Sequence, residues 1–361
     1  MTPIRVVVVE DSAVMRIYLR DALCSTGEIE VVGAAHDPLI ARDMIKRLSP
    51  DVLTLDINMP NMDGLDFLER LMRLRPLPVV MFSAHTREGS NAALQALAAG
   101  AVDFVSKPAA GEPEAWNSAA RELISKIKSA ASARIQASPG LTGDVRGKTA
   151  LAGGGWPRNR VVAIGASTGG VQAIRQVLGA LPVDSPPILI AQHMPETFTA
   201  SFAKRLDVNS DVAVCEAQDG QEVVGGTVYI APGDRHLLLE SRRNGYVCRL
   251  QGGGEIRGHM PSIDLMFQSV ASAAGHAAVG IVLTGMGRDG AQGLSDIRQA
   301  GGLTAAQDQA TSLIYGMPKA ATENGAAQFE LPLDRIAPFI LESQSHARHQ
   351  AIVEGQLTYE P

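Results

Sequence analysis

Three polar residues, Ser167, His193 and Asp289, stand just beyond apolar stretches of the chain. Ser167 follows VVAIGA, His193 follows ILIAQ, and Asp289 follows IVLTGMGR. If these stretches are parallel strands, their carboxyl ends share one edge of a sheet, where the three side chains can meet. Serine, histidine and aspartate then form an acyl-transfer triad, in which His193 takes the Ser167 proton and Asp289 orients the imidazolium. This set predicts the hydrolysis of an ester or an amide.

The turn around Ser167, GASTGG, is rich in glycine and opens a helical pattern. Gly165, Gly169 and Gly170 allow a tight bend, and N–H groups at the start of a helix can stabilise an oxyanion. Taken alone, such a turn is more often a phosphate-binding loop or a plain connection. GASTG also fits the nucleophile elbow, but α/β-hydrolases order the triad Ser, Asp, His. The order Ser, His, Asp indicates a separate catalytic lineage.

A second polar set lies in the N-terminal third of the chain. Its members follow or end apolar stretches and are Glu10, Asp11, Asp56, Ser83 and Lys107. Three carboxylates in one cleft repel one another unless a divalent cation compensates them, and their hard oxygen atoms suit Mg²⁺. The predicted chemistry is phosphoryl transfer to Asp56, with the metal held by Glu10, Asp11 and Asp56 itself. Ser83 and Lys107 would bind phosphoryl oxygens.

Apolar strands alternate with helical patterns through this first region, which predicts a doubly wound parallel sheet. The strands are predicted at 4–9, 29–33, 52–56, 78–83 and 101–105. In such a sheet, ligands bind at the carboxyl ends of the strands. Those ends carry the acidic residues, Ser83 and Lys107.

A stretch rich in glycine, serine and threonine follows, from about residue 130 to 158, and predicts a flexible linker. Beyond it the alternation resumes, with strands predicted at 161–165, 187–192, 212–216 and 278–285. The segments TVYIAP, HLLLE and YVCRLQ are interpreted as antiparallel strands inserted before a helix at 262–274. The second region is therefore predicted to be another doubly wound sheet, with a hairpin insertion.

Length and composition limit the class of protein. The 361 residues suit two domains, and a net charge of −6 argues against nucleic acid as a partner. Without a signal-peptide pattern or an apolar run of membrane-spanning length, we expect a cytoplasmic protein with no direct membrane insertion. Cys24, Cys215 and Cys248 have neither metal-ligand spacing nor a pairing pattern, which suits a reducing compartment.

The first region resembles the receiver domain of bacterial response regulators. VVVVEDS, LDINMPNMDG, MFSAH and DFVSKP match the motifs of that family in order and spacing. The resemblance places the family's switch pair, a hydroxyl residue and an aromatic residue, at Ser83 and Phe104. Two residues depart from the family pattern: Glu10 stands where two consecutive aspartates are more usual, and Phe104 has no hydroxyl. Glu10 is still a competent Mg²⁺ ligand, so we expect phosphorylation to be retained, with altered metal geometry.

In the second region, GASTGG, QHMP, TGMGRDGA and QATSLIYGMP resemble the catalytic domain of the chemotaxis protein-glutamate methylesterase family, CheB. With the receiver, the resemblance covers the chain up to about residue 340. It implies an α/β chain with two doubly wound parallel-sheet domains joined by a flexible linker. The implied divisions are a flavodoxin-like receiver at 1–125, the linker at 126–158, a Rossmann-like methylesterase domain with a β-hairpin insertion at 159–345, and a mobile tail at 346–361.

The same resemblance implies an activity and its residues. Ser167 is the expected nucleophile, His193 the base and Asp289 the orienting acid. Thr168 and Met286 are expected to flank the substrate, with the Met286 backbone N–H as an oxyanion donor. Members of the family hydrolyse glutamate γ-methyl esters on chemoreceptors, releasing methanol, and many also deamidate receptor glutamines.

The implied partners are methyl-accepting chemoreceptors as substrate and the chemotaxis histidine kinase as phosphodonor. Phosphorylation of the receiver relieves occlusion of the active site in this family. Mg²⁺ is expected for receiver phosphorylation, and no cofactor is expected for the esterase reaction.

Two other functions are left open by the residues alone. The second region could bind a receptor or kinase as an adaptor without catalysis, since a sequence does not show that the triad groups meet. A DNA-binding output is disfavoured by the acidic charge and the lack of a compact helix-turn-helix segment. His236 and His259 could line a substrate groove, although a surface or hydrogen-bonded structural histidine is the commoner case. Asp264 lies near a helix start, where the helix dipole favours an acidic residue without any catalytic role.

Overall fold

The computed structural model describes residues 2–59, 62–84, 87–108, 113–133, 135 and 159–353. The chain divides into two units, Met1–Gly143 and Asp144–Pro361, and each is described by itself.

The first unit alternates strands and helices. Its strands are β1 (Ile4–Val9), β2 (Ile29–Ala35), β3 (Val52–Leu55), β4 (Val79–Ala84) and β5 (Asp103–Lys107). Its helices are α1 (Ala13–Cys24), α2 (Pro38–Leu48), α3 (Gly64–Leu74), α4 (Arg87–Ala99) and α5 (Pro113–Ala131). Within the described residues the strands form one parallel sheet in the order β2-β1-β3-β4-β5. This is the flavodoxin-like order, so the predicted fold class is confirmed here.

The central strands of this sheet place two of the acidic residues side by side. Strands β1 and β3 are neighbours whose side chains are buried along most of their length, as expected when helices cover both faces. Glu10 follows β1 and Asp56 follows β3. Helix α3 begins close to Asp56. Its first residue is Gly64, where any side chain would collide with the Asp56 carbonyl oxygen.

The second unit has more elements. Its strands are β6 (Val161–Ala166), β7 (Ile188–Gln192), β8 (Ala213–Glu216), β9 (Glu222–Val223), β10 (Thr227–Ile230), β11 (His236–Arg242), β12 (Gly245–Gln251), β13 (Ala278–Val282), β14 (Leu303–Gln307) and β15 (Phe329–Leu331). Its helices are α6 (Gly170–Gly179), α7 (Glu196–Val208), α8 (Ile263–Ala274), α9 (Ala291–Gln299), α10 (Met317–Glu323) and α11 (Leu333–Val353).

In the described part of this unit, a parallel sheet runs in the order β15-β14-β13-β6-β7-β10-β8. A smaller antiparallel sheet has the order β11-β12-β9. The predicted hairpin is therefore present as β11 and β12, and the predicted parallel α/β fold class is confirmed for this unit too.

The sequence-based prediction for the segment TVYI is wrong. The sequence predicts it in the antiparallel insertion, but β10 lies in the large sheet and pairs in parallel with both β7 and β8. Val228, Tyr229 and Ile230 are buried, as in a strand covered on both faces. A short apolar run is compatible with either sheet, and burial against the core decides between them.

Two predicted boundaries also differ from the observed helices. Helix α5 runs to Ala131, into the segment 126–158 predicted as linker, because Ile127 and Ala130 are buried. Helix α11 runs to Val353, into the predicted tail 346–361, and neither glycine nor proline interrupts the chain between Pro338 and Gly355. Residues 136–158 and 354–361 lie outside the described residues.

The strands that precede the three triad candidates lie together in the large sheet. Strand β6, which precedes Ser167, pairs with β7 on one side and with β13 on the other. Helix α8 packs closely on β6. At Gly165 of β6, any side chain would collide with Ile263 of α8. The N-terminus of α8 therefore lies near the sheet edge from which the loops bearing Ser167, His193 and Asp289 emerge.

Candidate active site and phosphorylation site

Ser167 lies in the turn between β6 and α6. The chain bends at Gly169, whose φ of 81° is a conformation that favours glycine, and α6 begins at the next residue. The Ser167 N–H donates to the Thr284 carbonyl at 3.1 Å. A Cβ at Gly285 would lie only 2.8 Å from Ser167 Cβ. The half-buried serine is therefore held between the loop after β6 and the loop after β13.

His193 directly follows β7, and its N–H donates to the carbonyl of Ala166, the residue before Ser167, at 3.1 Å. Its Nε2 lies 2.9 Å from Asp289 Oδ2, so we assign the proton to Nε2, which donates to the carboxylate. The other ring nitrogen, Nδ1, is buried and has no hydrogen-bond partner among the described residues. The imidazole stacks on His259, with ring centroids 4.1 Å apart and planes 7° from parallel. Nδ1 is thus the nitrogen able to accept a proton.

Asp289 is buried and bound to the N-terminus of α8. The N–H of Ile263 donates to Oδ2 at 2.8 Å, and that of Asp264 donates to Oδ1 at 3.0 Å. The Ser262 hydroxyl donates to Oδ1 at 3.4 Å. Burial acts to raise the pKa of Asp289, but the His193 hydrogen bond and charge, together with the α8 N–H groups, hold it below its usual value. The carboxylate is therefore ionised at neutral pH.

Thr168 and Met286 lie next to the nucleophile along two different loops. Thr168 is buried, and its carbonyl accepts a hydrogen bond from the Thr284 hydroxyl at 3.0 Å. Met286 follows Gly285 and is 41% exposed. The predicted contacts of these two residues with substrate, and the oxyanion role of the Met286 N–H, stay predictions.

Sequence reasoning missed Gln192, the last residue of β7. Its side chain is buried, and Nε2 donates to the carbonyl of Ser167 at 3.0 Å and to that of His193 at 3.2 Å. Gln192 therefore ties the turn of the nucleophile to the loop of the base. The signal that could have found it is an amide side chain ending an otherwise apolar strand.

The two other histidines near the site differ in character. His236 is buried, with Nδ1 accepting from the Ser262 N–H at 3.0 Å and Nε2 donating to the Gly254 carbonyl at 2.9 Å. This is the hydrogen-bonded structural histidine that the sequence favoured. His259 instead lies against His193, and burial followed by the charge of His193 lowers the pKa of His259, which favours its neutral form.

In the first unit, Lys107 joins the two buried carboxylates. Its Nζ lies 2.6 Å from Asp56 Oδ2 and 2.8 Å from Glu10 Oε2. Burial raises the pKa of both Asp56 and Glu10, and the Lys107 ammonium acts against this rise without cancelling it. The structure thus brings together three of the residues predicted to take part in phosphoryl transfer.

Asp11 completes a cluster suited to a divalent cation. Oxygen atoms of Glu10, Asp11 and Asp56 lie within 4.8 Å of one another. Such a set of carboxylate oxygens fits the preference of Mg²⁺ for hard ligands. Glu10 and Asp56 are buried whereas Asp11 is exposed, so an ion could enter from the solvent side.

The two predicted switch positions lie on neighbouring strands. Ser83 belongs to β4, but its side chain lies outside the described part of the structure. Phe104 in β5 is buried, and Lys126 Nζ lies 5.1 Å from the centre of its ring. The same ammonium donates to the Phe104 carbonyl at 2.6 Å. The switch roles of Ser83 and Phe104 stay predictions.

Comparison with known families gives two matches. Residues 162–340 match the family model of the CheB methylesterase, and residues 6–114 match that of the response regulator receiver domain. Among the described residues, no helix is both long enough and apolar enough to cross a membrane.

Similar proteins cover nearly the whole chain. A protein-glutamate methylesterase/protein-glutamine glutaminase of Caulobacter vibrioides is 49% identical over 351 residues, which cover 96% of this chain and 100% of the relative. One from Xanthomonas euvesicatoria is 47% identical over 355 residues, which cover 96% of this chain and 99% of the relative. The CheB methylesterase catalytic domain of Thermotoga maritima is 38% identical, with a TM-score of 0.50, over 51% of this chain and 98% of that domain.

Proposed function

Because this chain belongs to the family of CheB protein-glutamate methylesterases, we propose that it cleaves chemoreceptor glutamate γ-methyl esters with a triad of Ser167, His193 and Asp289. The family gives the enzyme class, protein-glutamate methylesterase and protein-glutamine glutaminase. The observation that carries the triad is the 2.9 Å contact between His193 Nε2 and Asp289 Oδ2, on loops beside that of Ser167.

In the first half of the proposed reaction, Ser167 Oγ attacks the ester carbonyl as His193 Nδ1 takes the hydroxyl proton. The ionised Asp289 stabilises the imidazolium that forms. The tetrahedral intermediate then collapses, its bond to the methoxy oxygen breaks, and His193 returns the proton so that methanol leaves. The product of this half is an acyl-enzyme on Ser167.

In the second half, His193 takes a proton from water, which attacks the acyl carbon and releases the receptor glutamate. The proton then returns to Ser167. A receptor glutamine would follow the same course, with ammonia as the leaving group in place of methanol. We include this deamidation in the proposal because the relatives carry both names.

The groups that stabilise the oxyanion are assigned to the loops that flank the serine. We propose that the Met286 backbone N–H donates to it and that Thr168 lines the substrate beside it. The support for this placement is the close packing of Gly285 on Ser167, which leaves no room for a side chain at Gly285. Met286 is the next residue, so its backbone N–H lies one residue from that contact.

The receiver is proposed to control the esterase through a phosphoryl group on Asp56. Its family implies a divalent metal, and we propose Mg²⁺, which would neutralise phosphoryl oxygens when held by Glu10, Asp11 and Asp56. Lys107, already 2.6 Å from Asp56, would bind one phosphoryl oxygen and Ser83 another. Phe104 and Ser83, the switch pair, would respond together to the phosphoryl group.

The proposed domains are a receiver that ends with α5 at Ala131 and a methylesterase domain that begins at residue 159, joined by the segment between them. A covalent connection makes docking of the two proposed domains effectively intramolecular, so a change in receiver charge can shift the docked population. The proposed phosphodonor is the chemotaxis histidine kinase. The substrate segments are the cytoplasmic helices of chemoreceptors, which places the proposed reaction in the cytoplasm.

The test is methanol release from methylated receptor cytoplasmic fragments, with and without acetyl phosphate and Mg²⁺. The intact chain should release methanol, and Ser167→Ala should lower the rate at least a thousandfold, on the scale of losing a triad nucleophile. Ser295→Ala, which removes a surface hydroxyl on α9 bonded to Gln299, is the control and should keep the wild-type rate. Retained hydrolysis by Ser167→Ala would rule out this nucleophile.

The competing function is an adaptor whose second unit binds without catalysis. A serine-directed phosphonate separates the two, because only an activated serine is labelled efficiently. Stoichiometric labelling at Ser167 supports the enzyme. A folded chain that neither reacts with the phosphonate nor releases methanol from a matched receptor supports the adaptor.

A further inference from the structure

Asp264, on the first turn of α8, is a buried carboxylate that the proposed triad does not use. Only 8% of its side chain is exposed. Its Oδ1 accepts the N–H of Gly290 at 3.0 Å and that of Gly293 at 2.8 Å, and its Oδ2 lies 3.1 Å from Arg257 Nη1. The carboxylate of an α8 residue therefore binds the N-terminus of α9.

Asp289 makes the reciprocal arrangement. It stands just before α9, yet its carboxylate binds the N–H groups of Ile263 and Asp264 at the start of α8. Each helix thus receives at its N-terminus a carboxylate that belongs to the other helix segment. A carboxylate at a helix N-terminus is favoured by the unpaired N–H groups and by the helix dipole.

This exchange determines where the Asp289 carboxylate points. Asp289 Oδ2 is shared between the Ile263 N–H at 2.8 Å and His193 Nε2 at 2.9 Å. The Asp264 carboxylate accepts the N–H of Gly290, which Asp289 Oδ1 also accepts at 3.1 Å, and the Asp264 N–H donates to that same Asp289 oxygen. Moving Asp264 would therefore move both the backbone and the carboxylate of Asp289 relative to the base.

The arrangement has an electrostatic cost. Burial raises the pKa of Asp264, and the nearby negative charge of Asp289 raises it further, whereas the Gly293 N–H and Arg257 act to lower it. Two buried acidic groups close together are a poor way to gain stability alone. The geometry that they impose on the two helix N-termini gives this arrangement a functional reason.

We propose that Asp264 is a positioning residue for the esterase reaction, which aligns Asp289 with His193 by binding the N-terminus of α9. The inference rests on the proposed triad. Asp264 makes no contact with His193 or Ser167 among the hydrogen bonds and ion pairs of the described residues, so its effect is exerted through Asp289.

The test compares Asp264→Ala with Asp264→Asn in the full chain. Asparagine keeps the Oδ1 acceptor for both α9 N–H groups and loses only the charge that faces the exposed Arg257. We expect Asp264→Ala to lower kcat for methanol release about 10- to 100-fold, on the scale of a displaced catalytic group, with KM within about threefold of wild type. Asp264→Asn should keep kcat within about threefold, because the position of α9 is retained.

A second readout requires no turnover. The proton on His193 Nε2 that bonds Asp289 should give a low-field proton NMR signal, assigned by its loss in Asp289→Ala. Asp264→Ala should shift or abolish this signal, whereas Asp264→Asn should preserve it. The control is Asp207→Ala, which removes a carboxylate bond to the Val214 N–H elsewhere in the same unit and should leave both kcat and the signal unchanged.

Each outcome decides the proposal. A lower kcat with an unchanged low-field signal, or a lost signal with an unchanged kcat, would overturn the positioning role, as would loss of stability alone. If Asp264→Ala does not fold, Asp264→Ser replaces it, since a shorter hydroxyl cannot reach both α9 N–H groups. Failure of the triad itself would appear separately, as methanol release retained by Ser167→Ala.

Discussion

At the scale of single residues, the candidate site depends on how buried charges are held. Asp289 stays ionised inside the protein because an imidazole and two helix N–H groups bind its oxygens. Asp56 and Glu10 are held differently, since both contact the same lysine and both have a raised pKa caused by burial. The first arrangement favours the ionised carboxylate, whereas in the second the favourable contact with Lys107 does not cancel the effect of burial.

The lowered pKa of Asp289 predicts a dependence of stability on pH. A group whose folded pKa is depressed adds stability above its unfolded pKa, near 3.8, and loses that contribution as the pH falls through its folded pKa. Asp289→Asn should therefore be less stable than wild type near neutral pH, and the difference should shrink below about pH 4. Urea unfolding across this range measures it.

The control for this prediction is Asp296→Asn, on the same unit, whose side chain accepts a bond from Gln292 at the surface. It should remain close to wild type at every pH. A difference between Asp289→Asn and wild type that stays constant down to pH 3 would contradict the assignment of the ionised form.

Gly285 predicts a steric effect on the nucleophile. An added Cβ would lie 2.8 Å from Ser167 Cβ and would also collide with Met317 Sδ. Gly285→Ala should therefore displace Ser167 and lower methanol release about tenfold or more. Gly179→Ala, at a helical glycine whose added Cβ meets no atom within 4 Å, should keep the wild-type rate. Equal rates for the two variants would show that Ser167 tolerates the displacement.

At the scale of elements, the sequence predicts strands and the residues that follow them better than it predicts which strands pair. Apolar runs ending in Asp56, Ser167 and His193 mark strand ends, and strand ends are where a parallel sheet collects its polar groups. Pairing depends on contacts distant in sequence, so TVYI was placed in the wrong sheet. The reciprocal binding of Asp264 and Asp289 was missed for the same reason, because no local pattern joins them.

Tyr229 of β10 links the two sheets of the second unit. Its hydroxyl donates to the Glu222 carbonyl and accepts from the Val224 N–H, each at 2.9 Å. Tyr229→Phe would leave both groups without this partner and should lower the free energy of unfolding by about 1–3 kcal/mol. Urea unfolding gives the value.

Tyr315→Phe is the matched control, since its hydroxyl bonds Glu330 at an exposed position. Its loss of stability should be below about 1 kcal/mol. If Tyr229→Phe proved as mild as this control, the hydroxyl would not connect the sheets energetically.

At the scale of the whole molecule, two kinds of chemistry occupy two separate units of the chain. The carboxylates suited to phosphoryl transfer belong to Met1–Gly143, and the proposed triad belongs to Asp144–Pro361. The two sets share no residue. It should therefore be possible to abolish either chemistry without the other.

Asp56→Asn should remove stimulation of methanol release by acetyl phosphate and leave the unstimulated rate within about twofold, because the triad is untouched. Asp51→Asn, whose side chain accepts from the Arg5 N–H at an exposed position, is the control and should keep the stimulation. Equal stimulation of Asp56→Asn and wild type would place the phosphorylation site elsewhere.

The bond from the Thr284 hydroxyl to the Thr168 carbonyl also bears on how the enzyme acquires activity as it folds. It joins residues 116 positions apart, and the contact between His193 and Asp289 spans 96. Such contacts require closure of long loops, which is slow compared with forming a local helix. During refolding, helical circular dichroism should return first and phosphonate reactivity last. A chain that has regained its secondary structure is therefore not yet an enzyme.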